Sequence, residues 1–581
     1  MKQLCFFFFA FWGWSLYAQP VFTRVTDPAN PVVIFANTAA PYKGLAWIDL
    51  DDDNQPDLFM SPRFLFHNDG NGQFTQLENV AGAQGGQIAA GSCWGDLDND
   101  GDPDGITASA SSAAHNNEGG GESFSLLTSN IPGLFNFPAW DCVMADADNN
   151  GLLDLLYVHA LGFHNTGPFP CKFYLQTSPG NFVAQSGNEF TDATGTYTIP
   201  VWTDYDLDGD MDLFIGSGPG GSPGPDFRYK NLLQENGTFS LQRITTAPFN
   251  QLEDGQVYNF MDYDNDGDMD GMLTNYAGAK SRFWKKNNNS LVLTNMPFTL
   301  TPTPYLSNTW GDVDNDGLLD VLLSVDGTKQ VFLYRNNGMQ GFWAAQIAGS
   351  ADSTPCSIGL ADFDNDGDLD FATNGPNGGR ALFRNDNLAN GRHWAAFKLV
   401  GTNSNRSAIG ARLRIKATIN AQPVWQMREV LAHNSFQTQN DLRQHFGLND
   451  AGSIDSVEIR WPSGLIQLFG PQEVDRFYKI TEGSPIEAIV SVVNLSEGLP
   501  MIEISPNPAL HFFKIEAKSA QDRIQQIQII DVQGRIVAAK ITENSINEYS
   551  VQWNKDLPAG SYWVQVHFDS GQSTTKMIVK N

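Results

Sequence analysis

Short apolar runs, each cut by a polar turn, recur along most of this chain. LAWI (Leu45–Ile48) stops at Asp49 and LFM resumes after Asp57; VW stops before Asp204 and LFI resumes after Asp212. These runs are too short for helices and read as strands. A second element follows each pair: FLFHNDGNGQFTQL (Phe64–Leu77), KFYLQTSPGNFVAQ (Lys172–Gln185) and VFLYRNNGMQGFWAAQ (Val331–Gln346) each read strand, Asn/Gly-rich turn, strand. Two hairpins per unit predict a four-stranded sheet. Repetition of such sheets predicts an all-β ring in which no long edge is left exposed.

The turn inside each first hairpin is a nine-residue string, cleanest as DFDNDGDLD (Asp362–Asp370). It occurs seven times, at intervals of 47, 50, 58, 58, 50 and 50 residues. Positions 1, 3, 5 and 9 are Asp49, Asp51, Asp53 and Asp57 in the first copy and Asp96, Asp98, Asp100 and Asp104 in the second. They are Asp146, Asp148, Asn150 and Asp154 in the third, and Asp204, Asp206, Asp208 and Asp212 in the fourth. The last three copies have Asp262, Asp264, Asp266 and Asp270; Asp312, Asp314, Asp316 and Asp320; and Asp362, Asp364, Asp366 and Asp370. Alternating carboxylates on a tight loop suit a hard divalent cation, and Ca²⁺ takes six to eight oxygens. Up to seven structural Ca²⁺ ions are expected. An EF-hand would need Glu at position 12 and flanking helices; position 12 is Met60 in the first copy and Thr373 in the last. Asn54 stands where the other copies have glycine, and Asn150 is a neutral ligand, so the third site is expected to be weaker.

Charge follows from this. The net charge is -30, and the seven windows hold 32 of the 65 acidic residues. The acidity is thus chiefly metal ligand, and the lack of clustered Lys and Arg argues against a nucleic-acid partner. The first eighteen residues (Lys2, an apolar run, then SLYA) read as a signal peptide cleaved after Ala18; no transmembrane segment is expected in the mature chain. Of the remaining cysteines, Cys93, Cys142, Cys171 and Cys356, the favoured reading is buried small hydrophobes. A Cys142–Cys171 disulfide is the alternative.

The D-x-D-x-D-G-x-x-D loops with L-F-x-N-x-G-x-F hairpins resemble FG-GAP/VCBS repeats over about residues 40–390. The resemblance implies a seven-bladed calcium-loop β-propeller (19–390), with Val21–Val25 a candidate to complete the last blade. NR-x-AIGAR, REV, DLR-x-HFGL and V-x-I-x-WPSG closely resemble the ASPIC/UnbV domain of cartilage-acidic-protein-like proteins, which implies a small β-domain at 391–482. Where family members often carry a glycine-rich stretch, this chain has LAHNSFQTQN. Its polar residues Arg406, Arg412, Arg428, Asp441, Arg443 and His445 read first as a structural network, with anion or acidic-glycan contact the sharper alternative. A linker (483–500) precedes ISPNP, IQIIDVQGRIV and LPAGSYWVQV, which resemble the C-terminal sorting domain of the type IX secretion system (501–581, a β-sandwich). That resemblance implies contact with the secretion machinery and a secreted or cell-surface protein of a Gram-negative bacterium.

Two stretches, Ala110–Ser123 and Gly216–Asp226, are expected to be solvated loops. No G-x-S-x-G, H-E-x-x-H, G-x-x-x-x-G-K-[ST] or CxxC occurs, and no catalytic residue is assigned. The expected function is a non-enzymatic binding or adhesion module for an extracellular glycan or protein. The alternatives are a polysaccharide-active enzyme with structural calcium, or a matrix scaffold.

Overall fold

The computed structural model describes residues 22–34, 43–62, 64–77, 90–121, 123–127, 130–160, 169–218, 223–276, 278–287, 290–338, 341–386 and 391–489, and most of 502–580. The expected signal peptide lies outside the described residues. The chain forms two compact units, Met1–Ser491 and Val492–Asn581.

Among the described residues of the first unit, seven four-stranded antiparallel sheets follow one another. Their first strands are Leu45–Ile48, Ser92–Gly95, Asp141–Ala145, Pro200–Thr203, Gly255–Met261, Tyr305–Gly311 and Ser357–Ala361. Each first strand packs on the next, and Ser357–Ala361 returns to Leu45–Ile48, closing a β-propeller ring. These inner strands are buried on both faces, which is why LAWI, and CVMA after Asp141, read as unbroken apolar runs. Outer strands show the half-buried alternation of QFTQL. The seventh sheet takes its outer strand from the start of the chain: Phe22–Arg24 pairs antiparallel with Ala381–Asn385. N-terminal pairing of this kind ties the two ends of the ring together.

Two expectations are corrected here. Ala113–Asn117, inside a stretch read as a loop, is the third strand of the second sheet, with Ala114, His115 and Asn117 buried. Its side chains are small because its neighbours are large: Trp94 covers Gly105 across the sheet, and the Tyr157 hydroxyl reaches the Ala113 carbonyl at 2.9 Å. Gly216–Asp226 is likewise not a solvated loop at its described ends. A Cβ on Gly216 would meet the Gly255 carbonyl at 2.5 Å. Asp226 is buried, accepting bonds from the Ser217 amide (3.0 Å) and the Tyr258 hydroxyl (2.7 Å). All four described cysteines are free and buried, and no Cys142–Cys171 bridge forms.

Residues 391–489 build two further sheets. His393–Val400 lies between Gln444–Asn449 (antiparallel) and Arg476–Thr481 (parallel), and Arg412–Ile419 lies between Gln422–Glu429 and Ile454–Arg460. The expected linker begins with a strand, Ile486–Ile489, that extends the first of these sheets. One apolar cluster runs without a break from the second, third and fourth propeller sheets (Met144, Leu153, Leu213) into this sandwich (Ile409, Leu413, Val457). The second unit is a separate seven-stranded sandwich of a four- and a three-stranded sheet, with Phe513, Val551, Trp553 and Val564 in its core.

Candidate metal centre: seven acidic loops and the face built on them

Each acidic string joins the first strand of a sheet to the second, so all seven lie at one end of the ring. Position 9 is always the first residue of the second strand. The loop folds around its own carboxylates. Position 1 accepts the amides of positions 5 and 6: Asp366 and Gly367 donate to Asp362 at 3.0 and 2.9 Å, and Asp316 and Gly317 to Asp312 at 3.0 and 2.7 Å. Position 4 is left-handed, φ 61° at Asn99 and 56° at Asn365, a conformation asparagine tolerates. Position 6 lies near φ 96° at Gly367, where a side chain would be strained; Asn54 in the first loop sits at 67°.

Position 9 has a task of its own that sequence reasoning did not show. Asp104 accepts the amides of Leu97 (2.7 Å) and Asn117 (2.8 Å), clamping its loop to the third strand. Asp57, Asp154, Asp320 and Asp370 do the same. In the fourth and fifth loops Asp212 and Asp270 keep one oxygen without a hydrogen-bond partner.

The arrangement fits a cation. Single oxygens of Asp96, Asp98 and Asp104, of Asp146, Asp148 and Asp154, and of Asp204, Asp206 and Asp212 converge within 4.8 Å in each set. Buried oxygens of Asp148, Asp204, Asp206, Asp262, Asp264 and Asp364 have no hydrogen-bond partner. Burial, with neighbouring carboxylates adding to it, pushes Asp146 and Asp262 each up to about 7. Burial pushes Asp96 to about 6 and Asp104 to about 8. Buried carboxylates so placed must take up either protons or a cation. Hard, anionic, oxygen-only donors suit Ca²⁺.

Two sets of asparagines tie neighbouring loops to one another, interrupted by Asp52 and Leu207 in one and by Gln176 and Lys286 in the other, and neither was singled out from the sequence. Position-4 amides reach the position-6 carbonyl of the next loop: Asn99 to Gly151 (3.0 Å), Asn149 to Gly209 (2.9 Å), Asn265 to Gly317 (2.8 Å), Asn315 to Gly367 (3.2 Å) and, across the ring closure, Asn365 to Asn54 (2.9 Å). The Asn of L-F-x-N reaches back to the position-2 carbonyl of the preceding loop, as from Asn68 to Phe363 (2.7 Å) and Asn385 to Val313 (2.7 Å). The signal was present as an asparagine at a fixed offset, but its partner lies a whole sheet away.

The basic phrases of the sandwich meet these loops. Lys398 pairs with Asp49 (2.5 Å), Arg412 with Asp204 (3.2 Å) and Arg392 with Asp314 (2.9 Å). The Arg406 amide donates to Asn99 at 3.0 Å. Arg443 is 9% exposed; it pairs with Asp441 and donates to the Asp362 carbonyl (2.8 Å) and the Asn365 amide oxygen (2.7 Å). His445 Nε2 donates to the Gly367 carbonyl at 3.0 Å, and burial holds its imidazole down at about 4, hence neutral. Arg428, with its guanidinium also buried, is held down to about 10 by desolvation near Asp312 and Asp262. These residues form the structural network expected of them.

Between the REV and DLR phrases the chain enters the ring. Phe436, Gln437, Thr438 and Gln439 are wholly buried. Thr438 and Gln439 run parallel to Leu45 and Ala46, extending the first sheet inward. The Gln439 side chain accepts from the Trp94 amide (2.7 Å) and donates to its carbonyl (3.0 Å). Gln437 reaches the Trp140 carbonyl (2.9 Å), Asn440 accepts from Leu360 (2.9 Å), Asn259 donates to the Asn434 carbonyl (2.9 Å), and His433 faces Asp141 (2.9 Å). The inner strands have one unpaired edge toward the axis, and this plug pairs it. LAHNSFQTQN, where family members often carry glycine, is therefore the axial plug.

Residues 401–487 match the family model for ASPIC and UnbV. Residues 61–107, 262–323 and 312–373 match that for the FG-GAP-like repeat, and 503–580 that for the secretion system C-terminal sorting domain. The chain therefore carries FG-GAP-like repeats, an ASPIC/UnbV region and a tail that directs it to a secretion system. No curated protein matches the chain significantly. Solved structures with a similar fold include a lectin of Agrocybe aegerita that recognises non-reducing terminal N-acetylglucosamine (15% identity, 54% of this chain and 81% of that one, TM-score 0.38). Others are YCF48 bound to D1 peptide (15%, 60% and 94%, 0.37) and an exo-β-1,3-galactanase of Phanerochaete chrysosporium (9%, 59% and 97%, 0.28). No helix of the described residues is long and apolar enough to cross a membrane.

Proposed function

We propose that this chain is a calcium-binding propeller, exported by the type IX machinery to the outside of a Gram-negative cell, that binds an extracellular glycan or protein without transforming it. The observation that supports this reading is the plug. The loop end of the ring is covered by the sandwich, and the axis holds Val430–Arg443, with Gln437, Gln439 and Asn440 bonded to the inner strands. At the other end, connections between strands two and three, and between neighbouring sheets, gather. There Phe135 is 70% and Phe169 is 39% exposed. Phe169 is braced edge-on by Phe137 at 6.3 Å and His159 at 5.5 Å. Rigid, half-exposed aromatic rings on loops of a fixed scaffold suit contact with sugar rings or apolar side chains.

In this reading Ca²⁺ neutralises the buried carboxylates and fixes the loops on which the sandwich sits. Millimolar extracellular calcium fills even weak sites of this kind. The test is binding of the secreted chain to arrays of glycans and matrix proteins, with calcium and with chelator. Specific binding that falls at least tenfold in Phe135→Ala/Phe169→Ala, at unchanged melting temperature, is expected. A blank array from a chain folded in calcium would favour a scaffold. Turnover of a polysaccharide would show an enzyme.

A further inference from the structure

The seven loops are alike in sequence, but the side chain facing each from its own third strand is not. That position, one before the tying asparagine (Gln176 in the third sheet and Lys286 in the fifth), holds His67, Asn116, Leu175, Lys230, Lys285, Arg335 and Arg384 in order. In the second and third sheets it carries no charge. In the fourth and fifth, Lys230 pairs with the position-3 Asp206 and lies 3.1 Å from Asp208, and Lys285 pairs with the position-3 Asp264 and lies 3.7 Å from Asp266, with 23% and 35% of their side chains exposed. Such lysines can swing into water and give up the loop.

The sixth sheet differs in that its position-3 pair is buried and meets a second cation. Arg335 and Asp314 form an ion pair with side-chain exposures of 7% and 0%. A second guanidinium, Arg392, contacts the other oxygen of Asp314 at 2.9 Å and its backbone carbonyl at 2.6 Å, and is 10% exposed. Both oxygens of the position-3 carboxylate are thereby held by two different arginines. Arginine stays charged and forms fixed forks with carboxylates. Withdrawing both guanidinium groups would leave the buried Asp314 charge unpaired. The sandwich closes the loop from outside: the Asn449 amide donates to the Asn315 carbonyl at 2.9 Å, and Gly447 lies so near that an added Cβ would meet an Asp312 oxygen at 2.0 Å.

We propose that the sixth loop, Asp312–Asp320, is held by Arg335 and Arg392 in place of calcium, so that the ring has at most six metal sites. The inference rests on the calcium reading above. It makes loop six a calcium-independent anchor of the sandwich, because Arg392 belongs to the segment that leads into it.

The test is a calcium count on the secreted full chain by native mass spectrometry, with melting curves in calcium and in chelator. Wild type is expected to hold no more than six ions. Asp98→Asn should lose one ion and melt lower in calcium. Asp314→Asn should lose none, and its melting temperature should fall equally in calcium and in chelator. Arg335→Gln/Arg392→Gln should gain one ion. A wild-type count of seven, a lost ion in Asp314→Asn, or an unchanged count in the double variant overturns the proposal while leaving the calcium reading intact. A wild type that binds no calcium overturns both.

Discussion

Replacing Gln439 by alanine tests the role of the plug most directly. The side chain is fully buried, and it satisfies both backbone groups of Trp94 that point to the axis, at 2.7 and 3.0 Å. Two neutral hydrogen bonds contribute about 1 kcal/mol each, and a buried amide or carbonyl left without a partner costs about 1–3 kcal/mol. The expected loss for Gln439→Ala is therefore about 2–4 kcal/mol, read as a lower urea midpoint at unchanged slope. Exposed Gln422→Ala serves as the control and should change stability by less than about 0.5 kcal/mol. Gln439→Glu should be worse than alanine, because it sets a carboxylate against the Trp94 carbonyl. The differences should be the same with calcium and with chelator, since Gln439 touches a strand and no loop carboxylate. If Gln439→Ala behaved like the surface control, the plug would contribute nothing to the ring, and the argument for a filled axis would fail.

Two further outcomes follow from the loops. Without divalent metal, stability should fall as pH rises from 6.5 to 8.5. Asp146, Asp104 and Asp366 have folded values of about 7, 8 and 9 against 3.8 unfolded, so the folded state holds protons that the unfolded state has released, and that advantage is lost as pH climbs through the folded values. Calcium replaces those protons, so its gain in melting temperature should be larger at pH 8.5 than at 6.5; an equal gain at both would contradict burial of metal-free carboxylates. Asn385→Ala removes bonds to the Val313 carbonyl at 2.7 Å and the Leu369 carbonyl at 3.1 Å, and should cost about 1–3 kcal/mol. Hydrogen exchange should then show earlier opening at the junction of the sixth and seventh sheets, and unchanged exchange there would deny the asparagine its linking role.

What the sequence determined by itself is everything that closes within one repeat. The nine-residue string turns on itself through Asp362 and Gly367, the strands alternate or run apolar according to the faces they bury, and the Asn/Gly turns make the second hairpins. Each depends on residues less than one repeat apart, so period and spacing reveal it. Even within a repeat a strand escapes when its neighbours are unusual: AAHNN looks like a loop until Trp94 and Tyr157 are seen to require small residues beside them. What only the tertiary structure decided are the contacts between repeats and between regions. The asparagine ties pair residues about fifty positions apart, or more than three hundred across the closure. The plug sets Gln439 on Trp94, separated by 345 positions. Arg335 is one basic residue among several on third strands until Arg392 comes to lie on the other side of Asp314. Local pattern fixes which groups are polar or apolar. Which partner satisfies them is settled only when the ring closes, buries those groups, and leaves each one partner within reach.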